Sequence, residues 1–161
     1  MNRFPTPRLL AGPLLAAALL AAPDPAARAA EPAPAAAAAA PTTLAVLVAQ
    51  TFLRAVADRD QDRALPLLAD TVDFDGALAT GPGAVKTRLQ AMLARMTAPR
   101  DLRRVVVLPL DQARARFGPP PARLRLPKGE LVVGLGRFYH GGLIVFVAPE
   151  GDRYRVVALT D

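Results

Sequence analysis

LLADTVDFDG, residues 67–76, sets three aspartates around one phenylalanine. Val72 and Phe74 alternate with Asp73 and Asp75, the period of a strand with one buried face. Acidic side chains are mostly solvated. The pattern therefore predicts Phe74 in the core and both Asp73 and Asp75 on the wet face of the sheet. Gly76 turns the chain, and a bulge there would re-aim Asp75. Ala77 to Thr80 reads as a short returning strand before Gly81-Pro82-Gly83 breaks it.

Upstream, Thr42-Thr43 can cap a helix in which Leu44, Leu47, Val48, Phe52, Ala55 and Val56 recur at helical spacing. That helix ends in the acidic run Asp58 to Asp62. A second, short helix follows through Ala64, Leu65, Leu67 and Leu68. Pro66 fits only near its first turn, which favours Asp62 as the cap. Downstream, Val85, Leu89, Met92, Leu93 and Met96 form the stripe of a third helix.

Beyond Pro99 the pattern changes to β. Leu102 to Leu108 reads as a buried strand, and Asp111 to Phe117 as one or two helical turns. Gly118-Pro-Pro-Pro121 is a stiff loop. Ala122–Leu126, Glu130–His140, Leu143–Ala148 and Arg153–Thr160 then read as successive strands joined by Gly- and Pro-containing turns. The predicted class is α+β, with three N-terminal helices packed on a curved, mainly antiparallel sheet.

The first third of the chain has a different character. Arg3 and Arg8 precede the apolar run Leu9 to Ala22, and Ala27-Arg28-Ala29 fits a small-x-small exit. This is the pattern of a secretory signal peptide over residues 1–29, cut after Ala29. The competing reading is an uncleaved anchor, although the apolar run is short for a span of about 20 residues. Residues 30–41, AEPAPAAAAAAP, are a low-complexity tether. The domain is then 42–161, and its expected location is the periplasm or the extracellular space.

The formal net charge is +6. Removing residues 1–29 takes away Arg3, Arg8 and Arg28 together with Asp24, which leaves +4. The sequence has no serine and no cysteine. That excludes Ser-His-Asp and Cys-His nucleophilic chemistry, lipidation at a cysteine, and disulfides. His140 is the single histidine, so a transition-metal site is not expected. Asp58-x-Asp60-x-Asp62 opens like a calcium loop, but Arg63 and Ala69 stand where Gly and Glu are needed. Gly134-Leu-Gly-Arg137 lacks the third glycine of a dinucleotide fingerprint. No cofactor is expected.

FLRAVADRDQDRALPLLADTVDFDG (52–76), GPGAVKTRL (81–89) and GDRYRVVALTD (151–161) resemble the helices, first strand and last strand of the nuclear transport factor 2-like superfamily. This is the cone-shaped α+β fold shared by ketosteroid isomerases, scytalone dehydratase and polyketide cyclases. The resemblance spans most of 42–161 and is weaker between 100 and 128. It implies a fold and leaves the activity open. In the isomerases the aspartate base sits on the first strand, and aligning TVDFDG on Thr-Val-Glu-Asp-Pro puts Phe74 at that position.

Two regions remain as candidate sites. On the long strand, Gly134, Gly136, Phe138 and His140 share one face, and the glycines make room for a helix or for a cavity. A ligand pocket would take Phe52, Phe74, Phe138 and His140 as its wall. An enzyme reading (isomerase, dehydratase or cyclase) would use His140, with Asp75 or Tyr139. The second region is 100–128, where Arg100, Arg103, Arg104, Arg114, Arg116, Arg123, Arg125 and Lys128 face only Asp101 and Asp111. It reads as a solvated basic surface or as the site of an anionic partner. Nucleic acid is not expected, because Phe117 is the only stacking aromatic there. The expected role is a non-catalytic small-molecule-binding or interaction module. Its expected partners are a small apolar ligand and a second copy through the sheet, with no stable membrane insertion after cleavage.

Overall fold

In the computed structural model, which describes residues 43–96, 101–138 and 141–161, helix α1 spans Thr43–Asp58. The signal, tether and Tyr139–His140 assignments lie outside the described residues. The buried side of α1 is Ala45, Ala49, Phe52, Leu53, Ala55 and Val56. Leu44 and Leu47, expected on the apolar stripe, are instead 60% and 57% exposed. The helix has turned its alanines inward, which lets its backbone lie close to the sheet. Its end is a Schellman closure. Arg59 adopts a left-handed φ of 58°. The Arg59 N–H donates to Val56 O at 3.1 Å and the Asp60 N–H to Ala55 O at 2.8 Å.

Asp60 then caps α2 (Gln61–Ala64), accepting from the Arg63 N–H at 2.9 Å. The cap is thus Asp60, not Asp62. Pro66 does not constrain the choice, because it falls in the 3-10 turn Leu65–Leu67, at a position that needs no N–H.

Six strands follow in chain order: β1 (Leu68–Phe74), β2 (Ala77–Thr80), β3 (Arg104–Pro109), β4 (Val132–Arg137), β5 (Gly142–Glu150) and β6 (Arg153–Thr160). They form one sheet in the order β2-β1-β6-β5-β4-β3. The β1–β6 pair is parallel and the others are antiparallel. α3 (Pro82–Arg95) lies between β2 and β3 in sequence, and α4 (Leu110–Phe117) between β3 and β4. Helices on a curved, mainly antiparallel sheet are the expected class.

Two expectations after Pro99 need correction. Val105 to Leu108 belong to a strand, but they are only half-buried, because β3 is an edge strand bordered by β4 alone. Ala122 to Leu126 do not form a strand. They cross the outer face of the sheet as irregular chain and bury Leu124 there.

The sheet therefore carries a core on each face. α1, α2 and α3 bury one, which includes Phe52, Leu53, Val72, Phe74, Leu89, Phe138 and Val145. α4 and the crossing segment cover part of the other, formed by Ala113, Leu124, Val133, Phe146 and Ala158. That second layer overturns one strand expectation. Asp73 does point away from Val72 and Phe74, as alternation requires, yet it is 0% exposed. The face it occupies is covered by residues 121–126.

Gly134 and Gly136 set the distance between α1 and the sheet. A Cβ on Gly134 would lie 2.8 Å from Val145 Cγ2 and 3.0 Å from Ala49 Cβ. A Cβ on Gly136 would lie 2.8 Å from Leu53 Cδ2. The first obstacle includes a short side chain on the helix itself, and the second is the end of a flexible one. Gly134→Ala is expected to cost about 1–3 kcal/mol by overpacking, and Gly136→Ala measurably less. Urea unfolding of the two variants checks this, and equal losses would mean that Leu53 is as immovable as Ala49.

Candidate functional site

The hairpin at the end of β1 is built on two residues. Asp75 and Gly76 lie between the paired Phe74 and Ala77, with φ of 56° and 93°. Positive φ at both positions is the type I′ arrangement, for which Asp-Gly is a preferred pair. Glycine is required here a second time for space, since a Cβ on Gly76 would meet Arg123 O at 3.2 Å. The crossing segment thus runs directly against this turn.

Both aspartates of the hairpin hold that segment. Asp73 Oδ1 accepts from the Gly76 N–H at 2.5 Å, and Oδ2 accepts from the Arg125 N–H at 2.7 Å. Asp75 Oδ1 accepts from Arg123 Nε at 2.7 Å and lies 2.6 Å from Arg123 Nη2. The Thr160 hydroxyl also donates to Asp75 Oδ1, while Arg123 Nη2 donates to Thr160 Oγ1 at 3.0 Å. Hydrogen bonds from Thr160 and then from Arg123 hold the Asp75 carboxyl below the usual carboxylate range. A carboxylate so satisfied is a weak base, and here it serves as an anchor. It joins the β1–β2 turn, the end of β6 and the crossing segment in one cluster.

The aromatic residues expected to line a pocket are in one place. Phe52, Phe74 and Phe138 are 0%, 8% and 2% exposed, all within the helix-face core. His140 and Tyr139 lie outside the described residues. The room beside Gly134 and Gly136 is taken by Ala49, Leu53 and Leu102. Among the described residues, no group of three His, Cys, Asp or Glu side chains is placed to hold a metal ion.

Open space is found elsewhere. On the outer face a recess of about 80 Å³ lies between α4, the Gly118–Pro121 turn and the sheet. Its walls include Leu110, Phe117 and Pro120, and its floor is Val133, Leu135, Ile144 and Phe146. A smaller recess of about 50 Å³ is bounded by Met92, Met96, Leu143 and Asp161. A shallow depression of about 310 Å³ adjoins Leu44, Pro66 and Tyr154, close to Thr43, before which the chain is not described. The outer-face groove escapes strand-by-strand reading, because its walls come from α4 and a proline turn. One signal for it is in the sequence: Phe117 stands alone among arginines directly before Gly118-Pro-Pro-Pro121.

The Asp75 cluster has a pH signature. A carboxyl depressed in the folded state stabilises the fold above its unfolded value of about 3.9, and that contribution is lost as pH falls through the folded value. Asp75→Asn keeps a residue tolerant of the left-handed turn, so it should flatten the acid limb of stability below about pH 4. Asp73→Ala strands the Gly76 and Arg125 N–H groups and should cost about 1–3 kcal/mol at neutral pH. Urea melts across the acid range check both, and an acid limb unchanged in Asp75→Asn would show that the cluster contributes nothing there.

No family model and no curated protein matches the chain. Solved structures do. A nuclear transport factor 2-like protein of unknown function from Pseudomonas putida is 17% identical over 71% of this chain and 80% of that one, with a TM-score of 0.44. A cystatin-like protein of unknown function from Nostoc punctiforme is 9% identical over 71% and 84%, with a TM-score of 0.39. A type 2 hexachlorocyclohexane dehydrochlorinase is 12% identical over 71% and 80%, with a TM-score of 0.32. What these proteins share with the chain is fold alone. The order of helices and strands described above, with helices on a curved and mainly antiparallel sheet, is the arrangement that the sequence resemblance implied.

Proposed function

We propose that the chain is a non-catalytic interaction module whose partner seats on the outer face of the sheet. The observation that supports this reading is the placing of room and filling. On the helix face, the two glycines that would widen a chamber receive Ala49 and Leu53. On the outer face, the sheet is only partly covered, and an apolar groove stays open between α4 and Pro119–Pro121. A volume of about 80 Å³ is well under the roughly 300 Å³ of a typical small-molecule site. It suits an apolar side chain of a larger partner. The Ala/Pro tether would hold such a module away from its point of attachment or release.

Export belongs to the same reading, on the strength of Arg3, Arg8, the Leu9–Ala22 run and the Ala27-Arg28-Ala29 exit. N-terminal sequencing of extracytoplasmic protein should give a chain beginning at Ala30. An intact Met1 would favour an anchor.

The outer-face reading is tested by mapping a small apolar probe, such as benzene, on the full chain by methyl NMR. Shifts are expected at Val106, Leu135 and Ile144, with Leu53 and Val145 unmoved. Shifts confined to Leu53 and Val145 would locate binding inside the fold and restore the enzyme or ligand-pocket alternative. Silence at both sets would remove the groove as a binding surface.

A further inference from the structure

Arg104 and Arg137 are directly opposite one another on β3 and β4. Both are exposed, and no described acidic side chain pairs with either. Like charges in that position oppose the pairing of their strands. The fold keeps them where they cost stability, on a surface that carries further cations. Arg114 lines the adjoining groove, and the Arg116 guanidinium lies 5.3 Å from the centre of the Phe117 ring. The one acidic residue of α4 is Asp111, in its first turn.

The register joins these arginines to the groove. Two residues along each strand from Arg104 and Arg137 stand Val106 and Leu135, again directly opposed. Side chains two apart on a strand share a face and are about 6–7 Å apart. Leu135 is part of the groove floor. An apolar strip thus runs along the outer face and ends at two guanidinium groups.

We infer that this surface takes an acidic, apolar-anchored protein segment, with Arg104 and Arg137 clamping its carboxylates. The inference rests on the outer-face reading and names the partner's chemistry. A large apolar side chain of the segment fills the groove between Phe117, Pro120 and Ile144. A carboxylate two residues away along an extended segment lies on the same face and spans the same 6–7 Å or so to the arginine pair. Guanidinium groups are suited to this role, since their planar donors match a carboxylate two bonds at a time. A second copy of this chain fits less well, because it would bring its own Arg104, Arg114, Arg116 and Arg137 against the same cations. A bilayer surface fits less well too, since the groove floor is recessed between two walls.

The test selects random displayed peptides on the full chain. Selected peptides should carry Asp or Glu two residues from Leu, Ile, Phe or Met. Their binding should fall about 2- to 30-fold in the double variant Arg104→Gln/Arg137→Gln, the sum of two exposed charge pairs. It should be lost in Phe117→Ala, an exposed position whose truncation leaves the core intact. Peptides that lack acidic residues, or that bind the double variant equally well, overturn the clamp; loss in Phe117→Ala then still leaves the groove as an interaction surface. Failure to select any peptide sensitive to Phe117→Ala overturns both readings. Phosphatidylglycerol vesicles are the second arm. Vesicle binding that falls in the double variant, with no acidic peptide selected, would replace the protein segment by a membrane.

Discussion

The distance between α1 and the sheet is the constraint on which the rest of the molecule depends. It is short because Ala49 faces Gly134, so neither partner offers a side chain that would hold them apart. At this separation Leu53 reaches the sheet beside Gly136, and Phe52 and Phe138 are sealed into the same core. A bulkier pair at 49 and 134 would raise the helix and change what the fold encloses. The glycines of β4 thus serve packing. On the opposite face of the sheet, by contrast, a recess stays open between α4 and the Gly118–Pro121 turn.

That opposite face has its own organiser in the β1–β2 turn. A carboxylate withdrawn from water needs its oxygens satisfied, and Asp73 finds two backbone N–H groups, one on each side of the chain crossing. Asp75 adds a cationic partner and a hydroxyl. Two polar positions, one on each side of Phe74 in the sequence, thereby fix an irregular segment that has few internal bonds of its own. With residues 121–126 held there, the proline turn before them and α4 before that are brought over the sheet, and the groove has walls.

Much of this was legible in the sequence. Periodicity located α1, α3 and the strands, since those patterns come from one face meeting one core. The period-2 pattern at Val72 and Phe74 also gave the correct direction for Asp73. It failed on burial, because a strand pattern reports which side a residue faces and not what else covers that side. The Leu44 and Leu47 positions were misread for a related reason. Hydrophobicity favoured the leucines, while the approach to Gly134 needed the small side of the helix. The acidic cap shifted from Asp62 to Asp60 because Pro66 entered a 3-10 turn. The arginine pair was invisible until strand register set residues 104 and 137 side by side, since they are far apart in sequence.

β3 also bears on how the protein behaves when concentrated or partly unfolded. Val105-Val-Val-Leu108 is a half-exposed, uncharged run on the free edge of a sheet, the kind of segment that recruits other chains into cross-β stacks. Arg104 stands at one end of it and Pro109 at the other. Repulsion between stacked arginines and the missing proline N–H both oppose growth of such a stack. The charge that weakens pairing with β4 is thus also a gatekeeper, and a variant that neutralised Arg104 would gain some folded stability together with a greater tendency to aggregate.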